Sequence, residues 1–128
     1  MASQISQGIK INVEVFYQKE LSKPEYGEYL FGYRITIENY NLFTIRLLRR
    51  HWHVVDSSAK WQEMESEGIM GTQPYIEPDN FFQYMNSCTI ASEIGKVYGF
   101  YIMENQFTKE VFKVIIPQFD LIVPAKLN

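Results

Sequence analysis

Ile9, Ile11, Val13, Val15 and Tyr17 alternate with Lys10, Asn12, Glu14 and Phe16, and Tyr29, Phe31, Tyr33, Ile35 and Ile37 alternate in the same way with Leu30, Gly32, Arg34, Thr36 and Glu38. A period of two sends successive side chains to opposite faces of an extended chain, so each run reads as a strand with one wet face. A helix cannot use this pattern, because about 3.6 residues per turn would scatter the apolar side chains around its circumference. Further strand-like runs lie at Phe81 to Thr89, Lys96 to Glu104 and Val111 to Ile116. Ser22-Lys23-Pro24-Glu25-Tyr26-Gly27, Asn39-Tyr40-Asn41, Ser92-Glu93-Ile94-Gly95 and Asn105-Gln106-Phe107-Thr108 supply turn chemistry between runs. With about seven short strands and no sustained helical period, the chain predicts an all-β fold: an antiparallel two-sheet sandwich of the immunoglobulin or fibronectin type III kind. No repeat, linker or low-complexity tract interrupts residues 1–128, so a single domain is expected.

From Thr44 to Asp56 the alternation changes phase. Ile45 and Leu47 share one face, whereas Leu48, Arg50, Trp52 and Val54 share the other with Thr44 and Arg46. A β-bulge between Leu47 and Arg49 reconciles both runs with one core and aims Arg49, His51 and His53 outward together. Lys60 to Ser66 reads as a short polar strand whose Glu63, Glu65 and Glu67 resemble a charged, protected sheet edge. Gly68 to Asn80 follows as a long connection containing two glycines and two prolines.

Hydrophobic residues make up 46% and aromatics 16%, which suits the half-buried surface of a sheet. A net charge of −3 gives no global field for a polyanion, so neither nucleic acid nor an anionic membrane is an expected partner. Arg46, Arg49 and Arg50 form the one dense basic cluster. Cys88 stands alone, which leaves it without an intramolecular disulfide partner or a cysteine-based metal site and predicts a reducing, cytoplasmic home. The first residues, Met1-Ala2-Ser3-Gln4-Ile5-Ser6-Gln7-Gly8, lack a basic segment followed by an apolar stretch, and no run has the length of a membrane helix, so no membrane insertion is expected.

Several spaced motifs fall in one order: Gly8-Ile9, Tyr33-x-Ile35-x-Ile37-Glu38-Asn39, Leu47-Leu48-x-Arg50-His51-Trp52, Glu67-Gly68-Ile69-Met70-Gly71-x-Gln73-Pro74, Pro78-x-x-x-Phe82-x-Tyr84 and Ile116-Pro117-x-Phe119-x-Leu121. Together they resemble the ApaG family of small β-sandwich domains. The resemblance implies a fibronectin type III-like sandwich, found alone in bacteria and attached to F-box and other interaction proteins in eukaryotes. It also implies an association with cobalt resistance and magnesium efflux, which is a phenotype and not a mechanism. Many relatives carry Gly-x-Gly-x-x-Gly at the glycine turn, whereas this chain has Ser66-Glu67-Gly68-Ile69-Met70-Gly71. A dinucleotide fingerprint needs a helix after the glycines, and Pro74 and Pro78 stand where it would run.

Arg50 and His51 beside Trp52 are the leading candidate site, because arginine makes forked contacts to phosphate or carboxylate and an aromatic ring supplies an apolar platform. Backbone amides of Gly68 to Thr72 can form a small anion nest without a helix. With Glu67, Gly68, Gly71, Thr72 and Gln73, these residues make up the expected ligand-binding set. The competing readings are structural: Trp52 as a core side chain, and the arginines paired with Glu63, Glu65 or Glu67 across the ribbon. His51 and His53 share a face, but two histidines do not enclose a cation unless a carboxylate such as Asp56 or Glu63 converges on them. No metal or other cofactor is therefore expected. No nucleophile motif surrounds Cys88, and no Ser-His-Asp or Walker signature appears, so no catalytic residue is assigned. The expected function is a non-enzymatic binding module that presents the Gly68 to Pro74 loop and the Arg50 strand to a protein partner or a small phosphate-containing anion. The alternative is an enzyme acting on phosphoanhydrides such as nucleotide polyphosphates, with Arg50 and Glu67 in the charge-handling roles.

Overall fold

The computed structural model describes residues 2–58, 61–69 and 71–124. Among them lie nine strands: β1 (Ala2–Ser6), β2 (Ile9–Tyr17), β3 (Tyr29–Asn39), β4 (Ile45–Asp56), β5 (Trp61–Glu67), β6 (Tyr75–Ile76), β7 (Phe81–Ile90), β8 (Ile94–Asn105) and β9 (Val111–Ile122). Among the described residues the one named helical element is a 3-10 turn at Pro24–Tyr26. One sheet has the order β1-β2-β3-β7, and the other β5-β4-β8-β9 with β6 pairing with the start of β4. Every pairing is antiparallel. This is the two-sheet sandwich that the alternation predicts. No helix among the described residues is long and apolar enough to cross a membrane.

The core comes from the inward face of each sheet. Ile9, Ile11 and Val13 of β2 and Phe31, Tyr33, Ile35 and Ile37 of β3 meet Leu47, Trp52 and Val54 of β4, Val97, Tyr101 and Met103 of β8, and Val114, Ile116, Phe119 and Leu121 of β9. Each such side chain contributes about 1.5–3 kcal/mol when withdrawn from water. In β4 the buried positions switch from Ile45 and Leu47 to Trp52 and Val54, and the pairing with β8 shifts between Leu47 and Arg49. The bulge required by the phase change is therefore present.

Two strands escape the alternation rule. β1 is a largely polar edge strand, with Ile5 exposed, whose backbone ladder to β2 supplies what its sequence does not advertise. β6 is two residues long and lies within the connection expected at Gly68 to Asn80. The last strand also runs past its expected end at Ile116 to Ile122. Pro117 and Gln118 together oppose Tyr98 where the β8–β9 register shifts, a bulge in which proline's missing N–H interrupts no regular ladder.

Asn39 is buried at the end of β3 and acts as a pin. Its Nδ2 donates to the carbonyls of Phe43 and Ile76, each at 2.9 Å, and its Oδ1 accepts from the Asn41 amide at 3.0 Å. Asp56 closes the other end of β4, accepting from the Ser58 and Ala91 amides at 2.9 Å each. Both motif-like polar residues are thus absorbed by the frame that holds β4 in place.

Candidate functional site

β5 is the edge strand next to β4, and its register sets Arg49 opposite Glu67, His51 opposite Glu65 and His53 opposite Glu63. Because opposed residues on an antiparallel pair share a face, the glutamates lie beside the outward row of β4. Arg49 Nη2 reaches Glu65 at 2.7 Å, as the cross-ribbon reading expects for an arginine here. Both side chains are more than half exposed, so the pair adds little stability.

Arg50 behaves differently. It lies on the inward face with Trp52, and its guanidinium carbon sits 4.2 Å from the centre of the Trp52 ring, a cation–π contact that covers a buried indole. Trp52 itself is 2% exposed and meets Tyr33 edge-on at 5.2 Å, which makes it the core tryptophan that the strand pattern allows. Beside it the Tyr84 and Tyr101 hydroxyls bond to each other at 2.5 Å. Burial pushes the phenols of Tyr33, Tyr84 and Tyr101 up, while the nearby Arg50 charge pulls part of the way back. Arg50 Nη1, Trp52 Nε1 and the Tyr33 hydroxyl are buried without a hydrogen-bond partner. With the Tyr84 and Tyr101 hydroxyls they form a small polar island between the sheets, and its phenols stay protonated at neutral pH.

The glycine turn is built as a locked unit. Gly68 and Gly71 have φ of 69° and 82°, in the left-handed region that glycine enters without steric cost. The Gly68 amide donates to Leu48 O at 2.7 Å, and Ile69 and Thr72 exchange amide-to-carbonyl bonds of 2.7 and 2.9 Å. The Thr72 hydroxyl adds a 2.9 Å bond to Ile69 O, and Gln73 Nε2 donates to Leu48 O at 3.1 Å. Ile69, 1% exposed, anchors the turn in the core. Glu67, at the end of β5, accepts a longer 3.5 Å bond from Gln73 Nε2. From Pro74 the chain passes into β6, not into a helix.

The expected ligand-binding residues therefore divide into three groups. Glu67, Gly68, Gly71, Thr72 and Gln73 come together around the turn, His51 faces outward from β4, and Arg50 faces inward. Three turn amides, those of Gly68, Ile69 and Thr72, are already committed within the fold. Arg50 and Glu67 lie on opposite faces of the sheet, since Glu67 opposes Arg49 and Ser66 opposes Arg50.

A second constellation surrounds the histidines. His51 Nε2 is 3.2 Å from His53 Nε2 and 3.2 Å from a Glu63 carboxylate oxygen. Each imidazole is stacked on a β8 ring, His51 on Phe100 at 5.0 Å and 15° and His53 on Tyr98 at 4.9 Å and 22°. Of the two carboxylates that the sequence offers as a third ligand, the β4–β5 register brings Glu63 to the pair, whereas Asp56 is committed to the Ser58 and Ala91 amides. Tyr98 and Phe100 carry no motif that marks them in the sequence. Their matching two-residue spacing is a visible signal, but which strand lies beside β4 is not.

Cys88 packs against the core from β7, and burial pushes its thiol up to about 11. At pH 8 such a thiol is ionised in roughly one molecule in a thousand, against about one in four for an ordinary cysteine. Alkylation of the folded protein by iodoacetamide should thus run on the order of a hundredfold slower than that of a free thiol, rising to the free rate in denaturant. Mass spectrometry of a time course measures both rates, and a fast native reaction would contradict the raised thiol.

The family model for the ApaG domain matches residues 19–105. A relative described as Protein ApaG, from Brucella anthropi, is 36% identical over 126 residues, covering 98% of this chain and 96% of the relative. The corresponding protein of Sinorhizobium fredii is 34% identical over 125 residues, covering 98% of this chain and 95% of its own length. Among solved structures, a putative ApaA protein from Bordetella pertussis superposes with a TM-score of 0.87 at 29% identity, covering 91% of this chain and 94% of the other. The X-ray structure of the structural genomics target SoR45 gives a TM-score of 0.88 at 30% identity, covering 98% of this chain and 94% of that one.

Proposed function

The chain belongs to the ApaG family, and from that premise we propose that it is a non-enzymatic binding module whose recognition surface is the glycine turn with the adjoining outward row of β4. The observation that carries this reading is the locked geometry of the turn: two glycines at positive φ, a reciprocal amide pair between Ile69 and Thr72, and Ile69 seated in the core. A loop held in one conformation before binding gives up little entropy on binding, which is what a recognition element requires.

The favoured ligand is a protein partner. An anion would need free donors, and the turn spends the amides of Gly68, Ile69 and Thr72 internally while Arg50 lies beneath Trp52. Phosphoanhydride chemistry would need Arg50 and Glu67 to converge, and they face opposite ways. A reducing cytoplasm, expected from the lone Cys88, belongs to the same proposal, and the family's efflux phenotype would act through the partner.

Two measurements test it. Titration with inorganic phosphate or ATP to millimolar concentration should leave the amide signals of Gly68 and Gly71 and the Arg50 side-chain signal unmoved, and saturable shifts there would restore the anion reading. In cells, a photo-crosslinking residue in place of exposed Glu67 should capture one defined protein, whereas the same residue at Lys96, at the far end of β8, should not. Equal capture at both positions, or none at Glu67, would remove the turn as the recognition surface.

A further inference from the structure

We propose that His51, His53 and Glu63 form a three-ligand site for a divalent transition ion of the Zn2+, Ni2+ or Cu2+ class on the outer face of the five-stranded sheet. The potential donor atoms all lie within 4.8 Å of one another. Their spacing matches the chemistry: Zn–N and Zn–O bonds of about 2.0–2.2 Å set the edge of a coordination tetrahedron at about 3.3–3.6 Å. The Nε2–Nε2 and Nε2–carboxylate separations are both 3.2 Å, short of that edge by an adjustment any side chain can make.

The ligands are held before a metal arrives. Cross-strand register fixes Glu63 directly opposite His53, and the alternation of β4 sends both imidazoles to the same side. Stacking on Phe100 and Tyr98 restricts each ring, which is the support a metal site ordinarily needs around its first ligands. Two imidazole nitrogens facing each other at 3.2 Å require a proton or a cation between them, and a divalent ion satisfies both lone pairs and the adjacent carboxylate at once. His51 is 18% exposed and Glu63 47%, so the ion would be reached from solvent and would keep at least one position for water. A donor set of two nitrogens and one oxygen selects borderline transition ions over Mg2+, which prefers an octahedron of oxygens and retains its waters.

This inference does not rest on partner binding at the turn, and either can fail alone. Calorimetry of the full chain with ZnCl2 or NiCl2 should give a saturable one-to-one isotherm with Kd of about 10 µM or tighter, and MgCl2 should give none. His53→Ala and Glu63→Gln should each weaken binding roughly tenfold or more, while Glu110→Gln, in the β8–β9 loop, should not. Glu63 is 47% exposed, so the metal-free Glu63→Gln variant should melt with the parent, which excludes unfolding as the cause of its loss. Co2+ adds a second readout, since four-coordinate binding gives intense visible absorption that both ligand variants should lose. No saturable binding, or equal affinity in the parent and both ligand variants, would overturn the site.

Discussion

Trp52→Ala should destabilise the protein by about 3–5 kcal/mol, the usual cost of deleting a large aromatic side chain from a packed core. For a chain of this length that loss lowers the melting temperature by roughly 10–20 °C. Trp52 is 2% exposed, its ring meets Tyr33 edge-on, and the Arg50 guanidinium covers its face, so removing the indole leaves a cavity and strips a half-buried cation of its aromatic contact. Collapse around that cavity is limited. Gly99 opposes Trp52 in β8, and a Cβ built there would already lie 2.2 Å from His51 O. Trp52→Phe separates the contributions, because it keeps an aromatic face for Arg50 and removes the unpartnered Nε1. It should cost no more than about half as much, since most of the ring is retained. Urea unfolding of both variants checks the ranking, and a Trp52→Ala loss below about 1 kcal/mol would show that the residue is not a core support.

Gly68→Ala should cost about 3 kcal/mol or more, and the contrast with Gly71→Ala is the informative part. Both glycines have positive φ, where an L side chain is strained by about 1 kcal/mol or somewhat more. Their surroundings differ. A Cβ on Gly68 would fall 1.8 Å from Thr72 O and 2.6 Å from Thr72 C, so the turn's own backbone must move and its bonds to Leu48 and Ile69 must loosen. A Cβ on Gly71 meets nothing within 4 Å, which leaves the backbone strain alone. Gly71→Ala is therefore expected to melt only a few degrees low, about 1 kcal/mol, with the turn intact. Equal effects of the two substitutions would mean that the Thr72 contact does not restrain the turn. Measuring crosslink yield at Glu67 in the Gly71→Ala background tests whether partner recognition follows the conformation of the turn or only its presence.

Arg50 shows how far residue type and spacing can carry a functional reading. In a basic, aromatic strand it looks like an anion ligand, yet the bulge that puts Trp52 in the core puts Arg50 beside it. The sequence contained that information, since Arg50 and Trp52 share parity. What it lacked was the depth of the strand in the sheet, which makes an inward arginine a covering group over an indole. The glycine turn divides the same way. Positive φ at Gly68 and Gly71 follows from glycine's freedom and the restriction Pro74 imposes on Gln73. That the turn's amides are spent on Leu48 and on each other follows only from β5 lying beside β4.

By itself the sequence determined the all-β class, most strand positions, the bulge in β4 and the burial of Trp52, because alternation and its phase are properties of neighbours along one chain. It did not reveal β1 or β6, whose ladders form without an apolar pattern, nor the extension of β9 beyond Pro117. Tertiary structure alone decided which strands pair and in what register. Register set Glu63 against His51 and His53, stacked those rings on Phe100 and Tyr98, and seated Ile69 in the core. Such pairings join residues distant in sequence whose mutual fit is an energy of the folded whole, and a local period of two, which is the same for every possible partner strand, does not encode it.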